Sequence, residues 1–512
     1  MITLNSIITY RNCFIRKLMF AVCIVVVCSV PGIAAGEGIS YEYDALGRVL
    51  TVTRPDGVEY ITYDDSLNTM IVRNARNVST HFSYQSFGDP KDKQLVQIEN
   101  PGYGTTAYEY TAWGQINRIT QSGNAKTIVR SFGYSSKHFL QTETHPEMDN
   151  ISGDNVSLRY THDNLGNILS RRDARGATTY TYDNIYRLQT VDYPGGTSPD
   201  IRYDQYDHCD NPKKVISDLV TYEYGYYDDS TLAWKSYSIN GHPYRFDYDY
   251  NELRNLSEVS YPSGRVVSYN YYDDGMRISN IFDAFLDVFH ASGIKYHPFG
   301  QMSKITYGNG ITTDIAYDTK CRPETIDSGN VVHLGYTYDG CDNVVLIADY
   351  NNSTNSVFID DDNGYDDMNR LVGAAGPWGT LGFTHDYFGN RTSMSINDDQ
   401  VLYNYSSSNR LASLSGLQTG DFDYDASGNM TFNGSHTLAY DYANRMTDVS
   451  GASQATYAYD HANKRIMKTS GSETLIYHYG PDGEVWAETT GTGETIADYI
   501  RLGKKIIAKY QW

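Results

Sequence analysis

Hydrophobic and polar residues alternate in short runs along most of this chain, and small polar residues separate the runs. The stretch YEYDALGRVLTVTRPDG, residues 41–57, shows the pattern. Tyr41 and Tyr43 flank one polar residue, so both face the same side of a predicted strand. Asp44–Gly47 has the residues of a type I turn that ends at a glycine with positive φ, and a second strand follows it. Pro55–Gly57 then turns the chain again, so the stretch predicts one β-hairpin.

This hairpin pattern recurs about every twenty residues to beyond Tyr479, with aromatic anchors that include Tyr203, Tyr224 and Tyr248. A period held over this length predicts an all-β repeat fold of about 20 tandem hairpins over residues 36–512. Hairpins laid side by side form one long antiparallel sheet, which strand twist coils into a spiral, an open barrel or a partial shell. The motif residues are Tyr41, Tyr43, Asp44, Gly47, Arg48, Tyr182, Asp183, Tyr338, Asp339, Tyr424, Asp425, Gly428, Tyr459 and Asp460.

Tyrosine is the dominant aromatic residue, with 48 tyrosines against 16 phenylalanines. The tyrosines of adjacent repeats are predicted to stack as cross-strand ladders on one face of the sheet. Because tyrosine joins an apolar ring to a hydroxyl, that face is suited to line a wide space.

The first 35 residues are typical of a targeting segment. Arg11, Arg16 and Lys17 precede an apolar run over 18–30, which is followed by the small residues of GIAAG. This arrangement predicts a signal peptide over 1–35 with cleavage near Ala35. The alternative is an uncleaved anchor, although the run is shorter than the roughly 20 residues that a bilayer span needs. The predicted location is therefore secreted, periplasmic or at the cell surface.

The formal net charge is −21, which argues against a nucleic acid as partner because phosphate binding needs clustered Lys and Arg. Three of the six cysteines lie in the predicted signal peptide. Cys209, Cys321 and Cys341 remain. A Cys321–Cys341 disulfide and free thiols are both open, and neither could hold the whole fold together.

No catalytic motif stands out beyond the predicted signal peptide. The repeated aspartates could be interpreted as paired carboxylates for glycoside hydrolysis. Turn capping, however, explains Asp44, Asp183, Asp339, Asp425 and Asp460 by one mechanism. The sequence therefore predicts no enzyme, no catalytic residue and no cofactor.

Two weaker binding signals remain. The run 360–364, DDDNG, offers oxygen ligands for Ca²⁺, but its spacing does not match an EF-hand loop, and a solvated loop is the favoured interpretation. No metal site is predicted. Exposed aromatic rings could bind a glycan by stacking, whereas buried ones would fill the packed face of the sheet. The residues concerned are Trp113, Trp234, Trp378 and Trp486.

The repeated Y-x-Y-D-x-x-G-R/N-L pattern resembles the YD-repeat or Rhs (rearrangement hot spot) family, over residues 41 to about 510. The closing stretch 499–510, YIRLGKKIIAKY, is similar to the segment that follows the last repeats in bacterial members. The resemblance implies a β-sheet that spirals into a hollow shell. In the family such shells enclose a C-terminal toxin, as in insecticidal toxin complexes and Rhs effectors, and teneurins use a related barrel for adhesion.

The self-cleaving aspartates of bacterial members have no counterpart in this sequence, since its only Asp-Pro pair, Asp89-Pro90, lies among early repeats. The resemblance therefore implies an exported, non-enzymatic scaffold or partial shell that encloses or assembles with another polypeptide, such as a toxin or a second shell protein. One alternative is a cell-surface adhesion or carbohydrate-binding protein that recognises a surface glycan. Another is a truncated relic of a longer Rhs effector.

Overall fold

The computed structural model describes residues 38–86, 93–100, 102–123, 126–195, 200–360 and 363–512. The predicted signal peptide lies outside these residues. Within them the chain forms 45 β-strands and one 3₁₀-helix, Ser353–Asn355. No helix in these residues is long and apolar enough to cross a membrane.

The first 24 strands occupy the N-terminal half of the described chain. They are β1 (Ser40–Tyr43), β2 (Val49–Arg54), β3 (Gly57–Asp64), β4 (Thr69–Arg73), β5 (Ser79–Ser86), β6 (Lys93–Asn100), β7 (Gly104–Tyr110), β8 (Ile116–Gly123), β9 (Lys126–Tyr134), β10 (Leu140–Thr144), β11 (Leu158–His162), β12 (Ile168–Arg172), β13 (Ala177–Tyr182), β14 (Leu188–Asp192), β15 (Ile201–Tyr206), β16 (Pro212–Ser217), β17 (Thr221–Tyr226), β18 (Leu232–Ile239), β19 (His242–Tyr250), β20 (Leu256–Ser260), β21 (Val266–Tyr271), β22 (Ile278–Asp283), β23 (Val288–Tyr296) and β24 (Met302–Tyr307).

The remaining 21 strands continue in the same manner to the C-terminus. They are β25 (Thr312–Tyr317), β26 (Pro323–Asp327), β27 (His333–Tyr338), β28 (Val344–Asp349), β29 (Val357–Phe358), β30 (Gly373–Gly376), β31 (Gly379–His385), β32 (Arg391–Ile396), β33 (Asp399–Tyr405), β34 (Leu411–Gly416), β35 (Gly420–Asp421), β36 (Asp423–Tyr424), β37 (Met430–Phe432), β38 (His436–Tyr440), β39 (Met446–Gly451), β40 (Ala455–Tyr459), β41 (Arg465–Ser470), β42 (Glu473–Tyr479), β43 (Val485–Thr490), β44 (Thr495–Leu502) and β45 (Lys505–Gln511).

Each strand except β35 pairs antiparallel with the next strand in sequence, for example β1 with β2, β2 with β3 and β3 with β4. Strands β1–β35 form a 35-stranded sheet, and β36–β45 form a 10-stranded sheet. Only Phe422 separates the two, and its backbone N–H donates to the carbonyl oxygen of Ala412. The predicted all-β fold of tandem hairpins is confirmed, with one interruption in the hydrogen-bond ladder.

The strand ends define two rims of the sheet. We call the turns that follow a motif tyrosine, such as residues 44–48, motif turns, and the turns at the opposite strand ends, such as 54–57, return turns. Because successive hairpins lie side by side, the motif turns form one rim of the sheet and the return turns form the other. These are the motif rim and the return rim.

A β-bulge recurs at the motif tyrosine of most repeats. Tyr182 pairs with Leu188, whereas its neighbour Thr181 pairs with Thr190, so the return strand has one extra residue. The same shift occurs at Tyr43, Tyr338 and other motif tyrosines. Bulges increase the right-handed twist of a strand pair, and a bulge in most repeats therefore favours a coiled sheet over a flat one.

The sheet winds back onto itself, since residues more than 190 positions apart lie in contact. Four such pairs, in chain order, are Arg76 with Asp366, Arg175 with Asp441, Tyr237 with His478 and Tyr307 with Lys505. Their separations fall from 290 to 266, 241 and 198 residues. Strands β1–β24 thus form a first winding and β25–β45 a second, and the spiral narrows toward the C-terminus.

The most extensive core lies where the two windings overlap near the narrow end. Strands β19–β24 of the first winding pack against β43 and β44 of the second. The buried side chains there are Phe246, Tyr248, Val259, Tyr261, Val267, Tyr269, Ile281, Ala291, Ile294, Ile305, Trp486, Ala487 and Ile500. This overlap gives the second winding an apolar anchor that a single sheet layer lacks.

Candidate functional site: the motif turns and the seam between windings

Each motif turn is capped by its aspartate. Asp44 Oδ1 accepts hydrogen bonds from the backbone N–H groups of Leu46, at 2.9 Å, and Arg48, at 2.8 Å. Its Oδ2 accepts from Arg48 Nε at 2.7 Å. The bond from the Arg48 N–H is the main cause that lowers the pKa of Asp44. Gly47, with φ of 77°, occupies the left-handed region that the turn requires.

The other predicted aspartates make the same contacts. Oδ1 of each accepts the N–H of the residue four positions later, at 2.8–3.0 Å, in Asp183, Asp339, Asp425 and Asp460. Oδ2 accepts from the side chain of that residue in the first three, through Arg187, Asn343 and Asn429. Gly428 again has a positive φ, of 83°. The carboxylates are thus occupied by their own turns, which leaves them poorly placed for acid–base chemistry.

The motif tyrosines fasten each hairpin to the one before it. The hydroxyl of Tyr182 donates to the carbonyl oxygen of Ile168 at 3.0 Å, which is the first residue of strand β12 in the preceding hairpin. Tyr338, Tyr424 and Tyr459 donate in the same way to Pro323, Leu411 and Met446. Burial raises the pKa of all four phenols. The hydroxyls therefore remain donors over the whole neutral range.

The predicted ring contacts between repeats occur in part. Tyr237 contacts Tyr244 of the next hairpin at 5.7 Å across the strands, whereas other ring contacts run along a strand, as between Tyr222 and Tyr224 at 5.9 Å. Neighbouring hairpins are also joined by the hydroxyl-to-carbonyl bonds. Tyr41 and Tyr43 lie exposed on the first strand, with their rings 6.3 Å apart. The hydrogen bond was missed because sequence alternation indicates which face a side chain takes, not which backbone atom its hydroxyl reaches.

Three predicted anchors were wrong by two or three residues. The tyrosines that precede the motif turns and donate to the preceding hairpin are Tyr206, Tyr226 and Tyr250. The predicted anchors Tyr203, Tyr224 and Tyr248 lie earlier in the same strands. Stretches such as FDYDYNEL, residues 246–253, contain several aromatic–polar alternations, and local pattern alone does not fix which of them meets the turn.

Replacing Tyr182 by phenylalanine is expected to lower the free energy of unfolding by about 1 kcal/mol, because the carbonyl of Ile168 loses its side-chain donor. Urea unfolding followed by circular dichroism measures the change. The matched control is Tyr41→Phe, at an exposed ring on the first strand, for which a change below about 0.5 kcal/mol is expected. Equal effects of the two substitutions would contradict the assigned role of the motif hydroxyl.

The seam between the windings joins the return rim of the first winding to the motif rim of the second. Arg76, in the return turn 74–78, donates through Nη1 to the carbonyl oxygen of Asp366 at 2.8 Å and to Asn369 Oδ1 at 3.1 Å. It thereby binds the first and fourth residues of a motif turn. Asn369 has a φ of 58°, so its amide projects from the left-handed position of that turn.

Two further basic residues bind motif turns in the same way. Lys126 Nζ donates to the carbonyl of Ser406 at 3.1 Å and to Asn409 Oδ1 at 3.2 Å. Arg175 donates to the carbonyl of Asp441 at 3.0 Å and to Asn444 Oδ1 at 2.5 Å. In each of three motif turns, a cation from a return turn thus binds the same two groups. These are the carbonyl oxygen of the first residue and the Oδ1 atom of the asparagine at the fourth. We call these contacts the seam clasps.

A fully buried ionic cluster closes the narrow end of the seam. The side chains of Arg265, Asp283 and Asp498 are 0% exposed. Arg265 Nε donates to Asp498 Oδ2 at 3.0 Å, and its guanidinium also contacts Asp283. Trp512 Nε1 donates to Asp498 Oδ2 at 2.9 Å. The cluster joins β22 of the first winding to β44 of the second.

The three described cysteines, Cys209, Cys321 and Cys341, are free thiols, so the Cys321–Cys341 disulfide considered above does not form. Cys321 instead occupies the left-handed position of a motif turn, with φ of 64°. Burial raises the pKa of the Cys341 thiol.

Replacing Cys321 by glycine is expected to raise the free energy of unfolding by about 0.5–1 kcal/mol, because glycine adopts a positive φ without strain. The matched control is Cys209→Gly, one position earlier in another motif turn and with no positive φ, where a small loss is expected. Thermal unfolding of both variants shows whether each substitution stabilises or destabilises the fold. A loss at Cys321 would contradict the assignment of strain.

The residues of the two weaker binding signals lie in different surroundings. Of the acidic run 360–364, Asp361 and Asp362 lie outside the described residues, and the described residues contain no group of three or more potential metal ligands. Trp486 is buried in the core, as expected for a packed residue. Trp234 lies under the Arg245 guanidinium at 4.5 Å, whereas Trp113 and Trp378 are exposed.

Comparison with known proteins identifies the repeat. The family model described as RHS Repeat matches residues 162–198, which span the motif turn at Asp183. Residues 162–198 therefore carry the RHS repeat. This result confirms the resemblance found in the sequence. The family match and the tandem bulged hairpins describe the same unit, since residues 162–198 contain strands β12–β14.

The protein is similar in fold to solved toxin-complex structures. A crystal structure of TcdB2-TccC3 superposes with a TM-score of 0.64 at 13% identity, covering 91% of this chain and 31% of that one. The Photorhabdus luminescens Tc holotoxin pore, with the TccC3 mutation D651A, gives a TM-score of 0.58 at 13% identity, covering 91% and 30%.

Two curated relatives carry similar sequences. Double-stranded DNA deaminase toxin A of Burkholderia cenocepacia (strain H111) is 21% identical over 481 residues, covering 85% of this chain and 31% of the relative. The tRNA nuclease WapA of Bacillus subtilis (strain 168) is 31% identical over 142 residues, covering 26% of this chain and 6% of WapA. The chain thus spans less than a third of the length of each relative it matches.

Proposed function

We propose that this protein is an exported, non-enzymatic scaffold that encloses or assembles with another polypeptide. The observation that carries the proposal is the seam, which converts a string of hairpins into a wound wall held by side chains from both windings. Such a wall provides surface and volume, and its motif carboxylates are already bound within their own turns. A toxin or a second shell protein is the proposed companion, in keeping with the names of the relatives.

The first strand offers one place for such a companion. Strand β1 pairs with β2 through one edge, and all four of its side chains are exposed. An exposed strand edge recruits another strand by backbone hydrogen bonding. The proposed location is the periplasm, the cell surface or the medium, which follows from the signal peptide predicted for residues 1–35.

The test is the composition of the native particle purified from the source cells. Size-exclusion chromatography with light scattering gives its mass, and mass spectrometry identifies every chain. A stable particle with a second polypeptide is expected. A protein that elutes free of any companion under all growth conditions would contradict the proposal.

A second candidate function is binding of a surface glycan through exposed aromatic rings. Trp113 is 74% exposed and lies 4.7 Å from the ring of His138, so it presents a face on which a sugar could stack. Glycan-array binding by the purified protein, lost in Trp113→Ala and retained in Trp486→Phe, would favour this function. The second variant tests a buried tryptophan.

A further inference from the structure

The motif rim of the first winding carries a row of exposed apolar side chains. They stand at or next to the third residue of six motif turns, are 55–74% exposed, and are interrupted in chain order by the polar third residues Lys137, Cys209 and Asp229. They are Leu46, Leu67, Trp113, Leu165, Ile185 and Leu253. Exposed apolar residues scattered singly need no explanation, but a row at one repeat position on one rim indicates an interaction surface.

The second winding shows what this turn position does when it is covered. There much of the motif rim lies in the seam. The third residues Met368, Phe388, Ser427 and Ala443 are partly or fully buried, whereas Ala462 and Asp482, nearer the C-terminus, are exposed. Ser427 Oγ, for example, donates to Asp173 Oδ2 across the seam at 2.9 Å. The same position is therefore an interface position in one winding and is exposed in the other.

The spiral leaves a complementary rim exposed at its other side. The return rim of the second winding carries Val331, Tyr350, Trp378 and Leu417, each 45–63% exposed. The seam shows that a return rim packs on a motif rim. Each chain thus has one free rim of each kind, and both free rims carry exposed apolar side chains.

The spacing of the row selects the kind of occupant. Strands lie about 4.8 Å apart, so successive motif turns are about 9.6 Å apart along the rim. A helix repeats every 5.4 Å and an extended strand every 6.8 Å, so neither repeat length matches the spacing of about 9.6 Å between motif turns. Another sheet built from the same hairpins has the same spacing between its turns.

We propose that a second copy of this chain docks its free return rim onto the free motif rim of the first, extending the spiral head to tail. The contact uses the rim-on-rim geometry of the seam, with apolar side chains in place of the seam clasps. No Lys or Arg occurs in the return turns between residues 328 and 494, where clasp residues would have to stand. A head-to-tail contact of this kind is heterologous, so it can add more than one copy.

The inference builds on the proposed scaffold role and predicts a particular salt dependence. Each chain carries a net charge of −21, so copies repel one another at low ionic strength. Salt screens that repulsion and leaves apolar contacts intact. Self-association is therefore expected to strengthen as NaCl rises from 50 to 500 mM, by about tenfold or more. An interface made of ion pairs would weaken instead.

The test uses sedimentation velocity of the full chain from 1 to 100 µM. One variant alters the motif rim, Leu165→Glu with Ile185→Glu, and one alters the return rim, Trp378→Glu with Leu417→Glu. Each is expected to be monomeric alone, whereas their 1:1 mixture forms dimers that grow no further, because each copy keeps one intact rim. The control Leu402→Glu changes an exposed residue on a strand face, in β33, and is expected to associate like the unaltered chain.

Several outcomes overturn the inference. These are a monomeric unaltered chain at 100 µM in both salts, a mixture that stays monomeric, and a return-rim variant that associates as well as the unaltered chain. Thermal unfolding of each variant within about 2 °C of the unaltered chain shows that the fold is intact. A chain that stays monomeric yet purifies with a different polypeptide overturns the stacking and leaves the proposed scaffold function standing.

Discussion

Arg265→Ala is expected to lower the free energy of unfolding by about 3–5 kcal/mol, because it removes the guanidinium that pairs with the buried carboxylates of Asp283 and Asp498. All three side chains are 0% exposed. The guanidinium also lies 4.0 Å from the centre of the Tyr510 ring, so packing is lost along with charge. Since the cluster joins the two windings, the second winding should open first, at its narrow end.

Urea unfolding at pH 7 measures this loss. The matched control is Arg202→Ala, whose exposed pair with Asp204, at 3.3 Å, should contribute less than about 1 kcal/mol. Adding Asp283→Asn and Asp498→Asn to Arg265→Ala removes the stranded charges and is expected to recover part of the loss. If the single substitution costs no more than the control, the cluster does not hold the seam.

Acid is expected to destabilise the fold through His478. This imidazole is buried between Tyr237, whose hydroxyl lies 2.8 Å from Nδ1, and Thr489, whose Oγ1 lies 3.0 Å from Nε2. Burial, reinforced by the charge of Lys235, lowers the pKa of His478 from 6.5 to about 3. The folded state therefore takes up this proton far less readily than the unfolded state does.

The sign of the pH dependence follows from that difference. Above pH 6.5 the histidine is neutral in both states and its contribution does not change with pH. Below pH 6.5 the unfolded state binds the proton first, so stability falls until the folded pKa near 3 is reached. The loss from this group is about 2 kcal/mol by pH 5 and about 4 kcal/mol at pH 3.

Comparison with His478→Gln isolates this effect from the titration of the many carboxylates. Unfolding is measured from pH 8 to pH 4 for the unaltered chain, for His478→Gln and for the exposed control His208→Gln. The unaltered chain and the control should lose stability in parallel, whereas His478→Gln should lose less below pH 6.5. Three parallel curves would show that His478 does not titrate in the way its burial indicates.

The local unit could be predicted from the sequence because it is encoded within about twenty residues. Strand alternation around Tyr41 and Tyr43, the turn sequence from Asp44 and the period of repetition are all local signals. They were sufficient for the all-β fold and for the coiling of the sheet. The bulge at most motif tyrosines was missed, although the five-residue turn from Asp44 to Arg48 is a signal that could have indicated it.

The seam could not be predicted in the same way, because its partners lie far apart in the sequence. Nothing near Arg175 indicates that it binds a turn 266 residues later. One compositional signal exists in retrospect. Basic residues stand in return turns of the first winding, as Arg76 and Arg175 do, and are missing from the return turns between residues 328 and 494. That asymmetry indicates which rim is covered only once the strands are known.

The most direct test of the wound sheet is a crosslink across its seam. Asp173 and Ser427 lie 254 residues apart in sequence, with 2.9 Å between Oδ2 and Oγ. With the native cysteines replaced by serine, Asp173→Cys with Ser427→Cys should react rapidly with a short bis-maleimide and give a looped chain of altered gel mobility. The comparison pair, Asp173→Cys with Ser263→Cys, places both thiols in return turns of the first winding, where little crosslinking is expected. Equal crosslinking of the two pairs would contradict the two-winding spiral.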